Sequence, residues 1–74
     1  MNDKFTNSPD YIAIDTILLQ KGDFKFDEIL TELEASILSF FDGIEELKNF
    51  IKKKLLTLQD FGLVVYTGGI YYVT

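Results

Sequence analysis

The chain contains no cysteine, no histidine, no tryptophan and no arginine, and only one proline, Pro9. Without cysteine there is no disulfide scaffold and no thiol nucleophile. Without histidine there is neither a Cys/His zinc site nor an imidazole base. Without arginine the chain lacks the side chain that most often reads guanine through two parallel hydrogen bonds. No apolar run approaches the roughly 18 residues of a membrane span. The opening residues Met1-Asn2-Asp3-Lys4-Phe5 lack the apolar stretch of a signal peptide. A cytoplasmic location and no membrane association are therefore expected.

What is present is the composition of a globular chain. Of 74 residues, 47% are apolar and 15% aromatic, too apolar for intrinsic disorder and enough for one core but not two. Seven lysines face twelve acids, for a net charge of −5. The imbalance is local. Residues 1–41 hold three lysines and eight acids, a net −5, whereas residues 42–74 hold four of each and are neutral. An acidic chain is repelled by nucleic acid at long range, yet a local basic face can still bind it.

Residues 1–7 read as a loose arm and residues 8–74 as one domain. Ser8-Pro9-Asp10 is a helix start, with a capping hydroxyl, a proline at the first helical position and an acid at the positive end of the dipole. Tyr11, Ile14, Ile17 and Leu18 recur at helical spacing, which predicts a first helix from about Pro9 to Gln20. Phe24-Lys25-Phe26 alternates like a short strand. Asp27 and Glu28 open a second helix whose apolar positions are Ile29, Leu30, Leu33, Ile37, Phe40 and Phe41, running to about Phe40 or breaking near Ser36 and Ser39. Asp42-Gly43 marks a turn, and Asp42 with Glu45 has the spacing of a capping box.

The third helix is the clearest element. Ile44, Leu47, Ile51, Leu55 and Leu58 form one stripe flanked by Phe50 and Phe61, and Gly62 stops the helix near Asp60. Lys48, Asn49, Lys52 and Lys53 point away from the stripe. Lys54 falls close to it, so its stem should pack while its ammonium reaches water. Leu56 is apolar among polar neighbours. Two β-rich runs then flank Gly68-Gly69, which predicts a hairpin with a type I′ turn, Tyr66 opposite Tyr71 and Val65 opposite Tyr72.

Helix, short strand, helix, turn, long helix and terminal hairpin is an α+β order that resembles the winged helix-turn-helix superfamily. The resemblance covers residues 8–74 and rests most on the segment Leu55 to Thr74, a recognition-helix end, a glycine corner and a wing. Lys25-Phe26-Asp27-Glu28-Ile29-Leu30 and Ile44-Glu45-Glu46-Leu47 are also similar in layout to the acidic winged domain of the bacterial RNA polymerase delta subunit. The aromatic pair at the end of that family's wing is represented here by Tyr71 and Tyr72. The family's acidic tail has no counterpart in these residues. The resemblance implies a transcription-associated role and supplies a precedent for an acidic winged helix that docks on a protein.

Two functions follow. The first is a protein-interaction module, binding a protein partner or a second copy of itself through Tyr66 and Tyr71 on the wing and an acidic face around Glu28, Glu32 and Glu34. Tyrosine is enriched at interface hot spots, and only one face of the hairpin can cover the chain's own core. The alternative is a DNA-binding regulator in which Lys48, Asn49, Lys52 and Lys53 face duplex DNA, with lysines on phosphates and Asn49 reading adenine. An enzyme is not expected. Ser36 and Ser39 have no histidine to activate them, and Asp23, Asp27 and Glu28 lack calcium-loop spacing. No cofactor, metal or small-molecule substrate is expected.

Overall fold

A computed structural model of the chain describes residues 8–20 and 22–74. The expected arm over residues 1–7 lies outside the described residues. Three helices lead into a C-terminal antiparallel hairpin: α1 (Pro9–Leu18), β1 (Asp23–Phe24), α2 (Phe26–Ile37), a 3₁₀ turn (Leu38–Phe40), α3 (Ile44–Asp60), β2 (Val64–Thr67) and β3 (Ile70–Val73). The strands form one antiparallel sheet in the order β1-β3-β2. This is the topology of a winged helix, with α3 at the recognition position and β2–β3 as the wing.

The core is built where the apolar periods intersect. Ile29, Leu33 and Ile37 from α2 meet Leu47, Ile51, Leu55 and Leu58 from α3, and Val64 and Phe24 close it from the sheet. In α1 the buried pair is Ala13 and Ile17, with Ile14 and Leu18 only half-buried and Tyr11 exposed. The apolar stripe of α1 is thus centred one position away from the one its larger side chains predict. Ala13, fully buried, belongs to the core cluster with Ile17.

Several boundaries differ from expectation for local reasons. Phe26 is not a strand residue but the first residue of α2. The carboxylate of Glu28 accepts the backbone N–H of Lys25 at 2.9 Å, which closes the helix start one residue earlier. Before α3, the acid reaching back is Glu46 rather than Glu45. Its carboxylate accepts the Asp42 N–H at 3.3 Å, and Gly43 occupies the cap position without a side chain to donate or accept. The 3₁₀ turn after Ile37 changes the helical period, so Phe40 is exposed, while Phe41 turns inward against Phe50 with ring centroids 4.9 Å apart.

The corner after α3 is a double hydrogen-bonded stop. Gly62 N–H donates to the Gln59 carbonyl at 3.0 Å and Leu63 N–H donates to the Leu58 carbonyl at 2.9 Å. With Gly62 at φ +76°, this is a Schellman motif. It turns Phe61 outward, 74% exposed, and not onto the stripe as its spacing suggests. The Thr74 hydroxyl donates to the Gly62 carbonyl at 2.9 Å, and the Thr74 N–H donates to the Leu63 carbonyl at 3.0 Å, pinning the end of the wing to the same corner.

The hairpin register is the one its sequence predicts, with Tyr66 opposite Tyr71 and Val65 opposite Tyr72. At its tip Gly68 and Gly69 have φ of +57° and +84°, the left-handed pair a type I′ turn requires. A β-branched side chain at Gly69 meets that requirement badly. Gly69→Val is expected to cost about 1–2 kcal/mol in denaturant unfolding, while Gly69→Asn, which tolerates the left-handed region, loses less.

Candidate functional site

The wing does not lie flat on the core. Its helix-facing side carries Val64 and Val73 at the base and Tyr66 and Tyr71 toward the tip. Val64 is buried, Tyr71 and Val73 are half-buried, and Tyr66 is 51% exposed. Phe24, Tyr71 and Tyr66 are successive neighbours across the three strands. Phe24 stacks on Tyr71 at 5.5 Å with an interplanar angle of 14°, and Tyr71 meets Tyr66 at 4.6 Å with a tilt of 44°. This aromatic row starts in the core and ends in solvent, so the exposed tyrosine is held by rings that are themselves packed.

Across from the row, α3 presents Lys52, Leu56 and Gln59. Together with Phe26 and the two tyrosines they enclose a groove of about 450 Å³. Leu56, the apolar residue out of place in the sequence, is 60% exposed and forms one wall. Phe26 lies under the Lys52 ammonium at 5.9 Å from ring centroid to nitrogen. The groove thus brings Tyr66 and Tyr71, predicted for protein contact, beside Lys52, predicted for DNA contact. Phe26, Leu56 and Gln59 were not predicted as site residues. Leu56 carried a signal, its apolar character on a wet face, whereas Phe26 and Gln59 carried none.

The other predicted residues lie elsewhere. Asn49 and Lys53 are exposed on the outer face of α3. Lys48 is half-buried and its ammonium stands 3.6 Å from Glu45. Lys54 does not send its ammonium to open water: it pairs with Asp10 of α1 and lies 5.1 Å from the Phe50 ring centroid. The three acids of α2 are exposed but have different surroundings. Glu28 caps the helix, Glu32 accepts a hydrogen bond from the Gln20 amide at 3.3 Å, and Glu34 is turned about 200° from Glu32 at roughly 100° per residue.

The fold perturbs the titration of Tyr71. Burial pushes its hydroxyl above the ordinary value of 10.0, and the neighbouring Tyr66 adds to the effect by disfavouring a second phenolate. The folded state therefore keeps its proton at a pH where the unfolded chain releases it. That contribution to stability is complete below pH 10.0 and is lost as pH rises from there to the folded value. In denaturant titrations across this alkaline range, Tyr71→Phe is expected to flatten the decline relative to the parent chain.

Among the described residues there is no group of three or more Asp, Glu, His or Cys side chains placed to hold a metal ion, and no helix is long and apolar enough to cross a membrane. Fold and groove together define a small winged-helix domain with the form of an interaction module. Comparisons with protein-family models, curated proteins and solved structures gave no match.

Proposed function

We propose that this winged helix is a protein-docking module that takes its partner in the groove between α3 and the wing. The observation that carries this reading is an open groove walled by Phe26, Leu56, Tyr66 and Tyr71. Tyr71 packs on Phe24 and Tyr66 on Tyr71, so a partner side chain meets tyrosines that lose little freedom on binding. Exposed apolar groups around fixed aromatics are the setting in which interface hot spots occur. A transcription-associated context is part of this proposal and rests on likeness of fold alone.

A photo-crosslinking residue in place of Leu56 is expected to yield one discrete protein adduct in source cells, either with another protein or with a second copy of the chain. The same residue in place of Asn49 should yield none. Combining the Leu56 crosslinker with Tyr66→Ser and Tyr71→Ser should weaken capture on the order of 30-fold, the effect of a hot-spot loss of about 2 kcal/mol.

A second reading has its own support: Asn49, Lys52 and Lys53 all stand exposed on the helix that occupies the recognition position. As a DNA-binding face they would give duplex affinity that falls steeply with salt. Binding of a random-sequence duplex pool at low salt, lost in Lys52→Ala and Lys53→Ala and unaffected by Tyr66→Ser, would favour this reading over the groove.

A further inference from the structure

We infer that the occupant of the groove is a short protein segment carrying an aliphatic or aromatic anchor beside a carboxylate, with the anchor between Leu56 and the tyrosines and the carboxylate on Lys52. This rests on the docking reading above and adds the partner's chemistry to it.

The charge of the groove is opposite to that of the chain. Acids outnumber lysines twelve to seven overall, yet among the described residues the groove is lined by one ammonium and no carboxylate. Among the described residues, Lys48 pairs with Glu45 and Lys54 with Asp10, but Lys52 has no ion pair. Its ammonium is held over Phe26, where a ring face and not a carboxylate stabilises it. A partner carboxylate arriving there gains a charge-assisted contact next to surface that excludes water. The described residues supply no competing acid on that wall.

Gln59 adds a second polar group. It is half-buried at the groove edge, and its side-chain amide makes no hydrogen bond among the described residues. An amide offers both a donor and an acceptor, the pair that an extended or helical segment's backbone presents. The groove volume, about 450 Å³, suits the anchoring side chains of one segment. A nucleic-acid strand fits less well. Its backbone calls for a track of several cations, and among the described residues Lys52 is the single cation lining the groove.

The test is a selection from a random-peptide display library against the full chain, counter-selected against Leu56→Glu. Leu56 and Lys52 are both exposed, so circular dichroism should show both variants folded. Enriched peptides are expected to pair an apolar anchor with Asp or Glu. Their affinity should fall at least about tenfold on Lys52→Glu. Selection on Lys52→Glu should instead enrich Lys or Arg beside the same anchor. Enriched anchors with no acidic preference, or acidic peptides that bind Lys52→Glu equally well, would overturn the charge assignment and leave the docking groove standing. Failure to enrich any peptide over the Leu56→Glu counter-target would overturn both. Labelled oligo-dT that binds the parent chain and displaces enriched peptides would assign the groove to single-stranded nucleic acid and so overturn the peptide proposal.

Discussion

Ile51→Ala is expected to leave a large fraction of the chain unfolded at room temperature without denaturant. Ile51 sits in the middle of α3, fully buried in the core cluster. Truncating a buried isoleucine to alanine costs about 2–5 kcal/mol, the loss of transfer free energy plus a cavity that relaxes only in part. A single core in a chain of this size supplies roughly 3–5 kcal/mol in total. The cost is therefore comparable with the whole stability, and no disulfide is available to offset it. Urea unfolding followed by far-ultraviolet circular dichroism measures the effect. Lys53→Ala, two positions along the same helix and exposed, is the control and should stay within about 0.5 kcal/mol of the parent. Similar midpoints for the two variants would mean that the α3 stripe is not the centre of the core.

The second large effect belongs to Phe24. Although β1 has only two residues, Phe24 is buried in the core, sits opposite Tyr71 in the sheet register and stacks on its ring. Phe24→Ala is expected to cost about 3–5 kcal/mol, because it removes both the core side chain and the contact that holds β1 to the wing. Phe24→Leu separates these roles. Leucine keeps most of the burial and loses the ring stack, for a smaller cost of about 0.5–1.5 kcal/mol. It also unseats Tyr71, so Phe24→Leu should weaken docking in the groove while the chain remains folded. Partner capture unchanged in Phe24→Leu would show that the aromatic row does not position the site.

These two positions were not equally legible in the sequence. Ile51 belongs to a stripe of five apolar residues at helical spacing, and such a repeat has one solution. The hairpin was equally plain, since Gly68-Gly69 between two β-rich runs selects both turn type and register. Phe24 was harder, because a two-residue strand has too little period to be read. Its neighbour Phe26 was assigned to that strand although it opens α2. The deciding contact is the Glu28 carboxylate on the Lys25 N–H, a choice among several acids that spacing does not make. Phe61 shows the same limit. Its position continues the stripe, but the Schellman turn at Gly62 ends the helix and sends the ring into solvent.

The candidate site was legible only in pieces. Tyr66, Tyr71 and Lys52 carry signals in the sequence, but for two different functions on two different surfaces. Leu56 stood out as an apolar residue on a wet face without a place to put it. The wing overhangs α3 on the side where Leu56 and Lys52 emerge, and that is what joins them. Glu28, Glu32 and Glu34 looked alike in sequence, whereas in the fold one caps a helix, one takes a hydrogen bond from Gln20 and one is turned away.

Local pattern is enough to set the order of elements, the α3 stripe, the hairpin register and the confinement of net charge to the first 41 residues. Each of these depends on neighbours within a few positions, through helical period, turn geometry or simple composition. The tertiary structure alone decided which exposed groups share a surface. Phe26, Lys52, Leu56 and Tyr71 come from three elements up to 45 positions apart and line one groove. The wing and β1 are anchored there by Val64 and Phe24 buried in the core, a long-range packing relation that no local pattern encodes.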